Sequence, residues 1–236
     1  VVPCDFNAAS DSAFIASLKP ISDDLQAAHI HLQHDEIEPA KKCVINHFIS
    51  RSKPLYHFDN RDAGSPKVYL TLDLVFADDS VVAAADNVLE NRFHAWFNPD
   101  IIYDMGTPID WTIGKNSEIT GIEAATARNH FLITLMLAWL QTHDDRYAAK
   151  FEALCRSYNE HKPMVMTGNP IPHIDCFFDH DARQHYCMNV GFRLMDYLDC
   201  LYSGVFTSPA FSDAFRFYFL KQIWFHGMQF HRMRHL

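Results

Sequence analysis

The stretch "FLITLMLAWL", residues 131 to 140, limits what this chain can fold into more than any other. Phe131, Leu132, Leu135, Met136, Leu137, Ala138, Trp139 and Leu140 leave a helix here with no solvated side, so other helices must cover it all round. Immediately before it stand Arg128, Asn129 and His130. A buried, unpartnered Arg costs several kcal/mol. The triplet therefore either forms a hydrogen-bonded network inside the protein or lines a cleft at the end of the buried helix.

The rest of the chain is read as helices joined by proline-punctuated loops. Two short helical pieces split by Pro20 are expected over residues 10–34, with Ile21, Leu25, Ala28 and Leu32 at helical spacing. Pro39 suits the first turn of a helix over 38–51 that buries Ala40, Cys43, Val44, His47 and Phe48. Residues 60–67 read as a loop, 68–76 as either a strand or a buried helix, and 78–93 as a helix. Residues 97–118 read as a long irregular connection, of the kind that often carries function. Helices follow over 119–142 and, entered through Thr142 or Asp144, up to Pro163. After a loop over 163–176, a helix spans 180–204 and closes at Gly204. A last helix spans 207–236, with Ser208 as N-cap and Pro209 in its first turn. Glycine is scarce, at 8 residues, and 48% of the chain is apolar, as a helical body with a large core requires. These elements fit antiparallel helix hairpins stacked side by side in one domain, 1–236.

Charge and motif exclude several functions. The formal net charge of −9 disfavours a nucleic-acid partner. No run reaches the roughly 18 apolar residues of a membrane span, so no membrane partner is expected. The opening "VVPCDFNAAS" lacks the basic and apolar regions of an export signal, so either there was none or it has been removed. The 6 cysteines form no CxxC pair and read as buried thiols. No dinucleotide, nucleotide or serine-hydrolase motif is present. No cofactor is expected. His231 and His235 have the spacing of a metal pair, but no HExxH accompanies them, so a divalent metal is not indicated.

Two further groups of polar residues stand out. His185, Asn189 and Arg193 recur every four residues and Asp196 follows, giving one stripe of hydrogen-bonding side chains. That stripe is either an exposed polar face or a cleft wall. In the last helix, His226 lies among aromatic residues.

In three places the chain resembles the heparinase II/III-like polysaccharide lyases, whose toroid the alginate lyases share. "PIDWTIGKNSEITGIEAATARNHFLITLMLAWLQTHDDRYAAKFEALCRSYNEH" (108–161) is similar to the family's aspartate/tryptophan loop, polar-histidine helix and following hairpin. "LQHDEIEPAKKCVINHFISRSKPLYHF" (32–58) is similar to its opening helices. "VGFRLMDYLDCLYSGVFTSPAFSDAFRFYFLKQIWFHGMQFHRMRHL" (190–236) is similar to its region with "SPAF" and a late His-Gly.

The resemblance implies an incomplete (α/α) toroid and, as partners, β-sandwich domains of the same protein and an acidic polysaccharide. It implies β-elimination on a uronic-acid polymer of heparan, heparin or alginate type, in the periplasm or outside the cell. In that reaction a base removes the C5 proton, donors stabilise the carboxylate and an acid protonates the leaving O4. By resemblance, His130 and Asn129 are candidate catalytic residues. Trp111, Arg128, His185, Asn189, Arg193 and His226 are candidate substrate contacts. The family's Asn-His pair and catalytic Tyr lie beyond the last matching helix, so the chain is expected to be the first part of a longer lyase. Two alternatives remain: a helical module that binds sugar without cleaving it, and an (α/α) glycoside hydrolase, which needs two opposed carboxylates; Asp110 and Glu123 flank the loop and helix, but nothing marks them as a pair.

Overall fold

A computed structural model describes residues 6–51, 81–95, 100–112, 126–162 and 187–233 of the chain, with side chains in the last of these ranges from residue 189 to 231. The expectations for 60–76 and 163–176, and the residues His185, Glu123 and His235, lie outside them.

The elements in chain order are α1 (Asp11–Ser17), α2 (Asp23–Gln33), α3 (Ile37–Ser50), α4 (Val81–Leu89), β1 (Arg92–His94), β2 (Ile102–Asp104), α5 (His130–Thr142), α6 (Asp145–His161), α7 (Cys187–Tyr202), a 3-10 turn (Val205–Thr207) and α8 (Asp213–Met233). Consecutive helices pack as pairs, α2 with α3, α5 with α6 and α7 with α8. The α5–α6 pair touches α4 on one side and α7 on the other, and α8 packs on α3. The result is an incomplete (α/α) toroid of helix hairpins, as the sequence led us to expect.

Helix α5 is the buried wall. Every residue from His130 to Trp139 is buried. Its aromatic and aliphatic side chains join those of α4, α6 and α8 in one core. Local signals explain several helix boundaries. Ser10, Ser22 and Asp144 each accept a backbone N–H of the first turn they cap. Gly204, at φ 84°, lets the chain leave α7 in a left-handed turn that a side chain would strain.

Several boundaries depart from expectation. Ile21 lies outside α2 and is exposed. The helix expected to reach residue 93 stops at Leu89, and Asn91 (φ 60°) turns the chain into β1. The irregular connection contains β2, which pairs antiparallel with β1 through Phe93 and Tyr103. The helix expected over 119–142 is interrupted at Asn129, which adopts φ 62° and ψ 30°. The last helix starts at Asp213 rather than after Ser208. Ser212 caps it by accepting the Phe215 N–H at 3.1 Å, while the Ser208 hydroxyl donates to Asp145 at 2.7 Å.

Candidate active site

The helix break at Asn129 explains why three polar residues can precede a fully apolar helix. A left-handed residue ends the turn at 126–128 and starts α5 afresh at His130. Arg128, Asn129 and His130 are thus turned in different directions, and each meets a different residue of α7. Arg128 Nε donates to Asn189 Oδ1 at 3.0 Å, with its guanidinium 4.5 Å from the Phe192 ring centre. Asn129 Nδ2 donates to the Tyr197 hydroxyl at 2.8 Å. His130 Nδ1 lies 2.8 Å from Asp196 Oδ2, within ion-pair distance.

A second layer ties α7 to α8. Arg193 Nε donates to His226 Nε2 at 3.2 Å, and one of its terminal nitrogens donates to the Ala127 carbonyl. His226 Nδ1 reaches the Gln222 carbonyl at 2.8 Å, which fixes the ring with its other nitrogen toward Arg193. Burial grades the network. Arg128, Asn189 and His130 keep 7%, 7% and 8% of their surface, whereas Asn129, Arg193, Asp196 and His226 keep 0%, 2%, 3% and 1%. All seven are buried, the first three slightly less than the other four, and the His130 Nε2 is itself shielded from solvent. The stripe on α7 is accordingly no exposed polar face: its described members are interior.

Electrostatics follow from that burial. Loss of water pushes the Asp196 carboxyl above its ordinary range, and His130 and Arg128 oppose the shift. Burial also pulls Arg128 down, against the pull of Asp196. Burial raises Tyr197 well above its ordinary value, so its hydroxyl keeps its proton.

Trp111 lies elsewhere, among Phe93, Phe131 and Tyr158, and donates its indole N–H to Ser157 at 3.0 Å. It fastens the segment after β2 to α5 and α6. Protein encloses Trp111, Arg193 and His226, expected as substrate contacts, and Asn129, expected as catalytic, and each makes a hydrogen bond within the chain. Asp196 and Tyr197 are network members to which the sequence reading assigned no site role. The signal for Asp196 was its place three residues after Arg193; Tyr197 carried none, being one aromatic among many. Among the described residues no group of His, Cys, Asp and Glu is arranged to hold a metal ion.

The arrangement gathers a guanidinium and an imidazole at one buried edge, braced by an amide and a carboxylate respectively. Such a pair suits recognition of a carboxylate.

No curated protein matches the chain. Among solved structures, a heparan sulfate lyase, HepC from Pedobacter heparinus, superposes with a TM-score of 0.69 at 18% identity, over 92% of this chain and 31% of that one. A heparinase III gene product superposes with a TM-score of 0.67 at 16% identity, over 92% of this chain and 32% of that one. The likeness at these identities is one of fold, and the chain spans about a third of the length of those proteins. The family model described as "Heparinase II/III N-terminus" matches residues 15–233. The chain therefore belongs to the heparinase II/III N-terminal family.

Proposed function

We propose that this chain is the helical part of a polysaccharide lyase that cleaves a uronic-acid polymer, heparan-like or alginate-like, by β-elimination. The observation that carries the reading is the buried polar edge of Arg128, Asn189 and His130 at the start of α5, a guanidinium, an amide and an imidazole gathered in a chain of net charge −9. A sugar carboxylate placed against that edge meets donors that stabilise the charge developing after C5 deprotonation. Arg128 and His130 are the side chains we assign to contact it, with His130 the best candidate for a direct role. Asn129, Arg193, Asp196, His226 and Trp111 are positioning residues that hold the edge in place. Base and leaving-group acid come from elsewhere in the protein, with β-sandwich domains completing the cleft. No cofactor takes part. Work on an extracellular polymer places the protein in the periplasm or outside the cell. Among the described residues, no helix is long and apolar enough to cross a membrane.

The test uses the protein as it occurs. It is incubated with heparan sulfate, alginate and hyaluronan, and the ultraviolet absorbance of an unsaturated uronide is followed. We expect absorbance with at least one polymer, and a drop in turnover of about a hundredfold in His130→Ala. No absorbance with any uronic polymer rejects the reading. Reducing ends without absorbance indicate a hydrolase instead, and binding with neither signal indicates a module that only holds sugar.

A further inference from the structure

On the side of α8 turned away from His226 lies an open cavity of about 870 Å³. Phe217, in its lining, and His226 are nine positions apart, about two and a half turns, so they occupy opposite sides of the helix. The cavity is therefore separate from the network at the start of α5. Its floor is apolar, built by Pro39, Ile45, Ala214 and Phe217, and four cations from three helices line it: Lys41 and Lys42 of α3, Arg156 of α6 and Lys221 of α8.

The acids around these cations leave positive charge uncovered. Asp11 is held between Lys41 at 2.8 Å and Lys221 at 2.9 Å, and Glu38 also pairs with Lys41 at 2.8 Å. Asp213 pairs with Arg216, which is outside the lining, at 2.8 Å. Lys42 is exposed and pairs with no carboxylate among the described residues. Arg156 gives only its Nε to Glu152, at 3.0 Å, and lies 5.0 Å from the Tyr218 ring centre. Its guanidinium lines the cavity, and the two terminal nitrogens of an Arg can grip a carboxylate or sulfate together. Lys41 and Lys221 are largely shielded from water, fixed by Asp11, and each keeps ammonium protons beyond those bonds.

We propose that this cavity is a second saccharide site, which takes one sugar unit bearing a carboxylate or sulfate. The ring lies on the Phe217 and Tyr218 side, and its anionic group sits between Arg156 and Lys42. An apolar floor with a cationic rim matches a sugar ring, whose C–H face is apolar and whose substituents are charged. That the ligand is a sugar rests on the function proposed above; that it is an anion rests on the cavity alone.

The test titrates the full protein with a short heparan sulfate or alginate oligosaccharide and, separately, with inorganic sulfate, by calorimetry. Lys42→Gln should weaken oligosaccharide binding about fivefold, and Lys42→Gln with Arg156→Gln by more, each less so at high salt. His130→Ala should leave this second binding event in place. Unchanged affinity in folded Lys42→Gln overturns the proposal, and that exposed position decides the matter if the Arg156 variant does not fold. Loss of the event in His130→Ala overturns it as well, since the ligand is then on the network edge. Sulfate binding as tightly as the oligosaccharide overturns the assignment to sugar. Failure of the lyase reading shows differently: no polymer yields an unsaturated product, while the cavity variants still alter oligosaccharide binding.

Discussion

Asn129 combines two requirements in one residue. Its backbone sits in the left-handed region, and its buried amide supplies the hydrogen bond to Tyr197. Asn tolerates that conformation better than other side chains do, and Gly tolerates it without cost. Asn129→Gly should therefore lose only the hydrogen bond, about 1 kcal/mol, whereas Asn129→Ala should lose that and add backbone strain, about 2–3 kcal/mol in total. Urea denaturation of both variants checks the order; an Ala variant as stable as the Gly variant would remove strain from the account. The polar triplet itself was visible in the sequence, because Arg, Asn and His cannot be buried without partners. The break inside it was not. Arg128, Asn129 and His130 all have ordinary helical propensities, and the partners that make a left-handed turn worth adopting lie more than 60 positions away on α7.

The helices divide into those whose sequence specifies them and those whose surroundings do. Helix α5 belongs to the first kind, since no face of "FLITLMLAWL" suits water. Leu135 and Met136 are both fully buried there, and Leu135→Ala should cost about 2–5 kcal/mol by leaving a cavity between two helix layers. A loss under 1 kcal/mol in thermal or chemical unfolding would mean the layers close over the gap. The start of α8 is of the second kind. "TSPAFSDAF" offers two serines, and Ser208 with Pro209 is the stronger local signal. The protein uses Ser212, because Ser208 is drawn to Asp145 at the α5–α6 corner, a contact between residues 63 apart. Ser212→Ala should accordingly cost about 1 kcal/mol as a lost cap. The same reason explains the missed hairpin of β1 and β2. Three-residue strands carry too little alternation to be read, and their pairing depends on Asn91 turning the chain.

Across the whole molecule, one carboxylate joins the first helix to the third and the last. Burial alone would raise the Asp11 carboxyl, but the hydrogen bonds from Lys41 and Lys221 outweigh it and hold the group below its ordinary value. A lowered carboxyl contributes stability that is present above the unfolded-state value and lost as pH falls through the folded-state value. The protein should thus lose melting temperature as pH drops below about 4, and Asp11→Asn should flatten that loss while lowering stability near neutral pH. An acid limb unchanged in Asp11→Asn would assign it to other carboxylates. The toroid was legible as a stack of hairpins because each hairpin is local in sequence; the tie from Asp11 was not, because it spans 210 positions to Lys221. That span has a consequence in time. Hairpins α2–α3, α5–α6 and α7–α8 can each form soon after leaving the ribosome, whereas the seam between α1 and α8 must await the late arrival of Lys221. Helix α1 meets α2 and α3 early but α8 only late, and the seam is where refolding should be slowest.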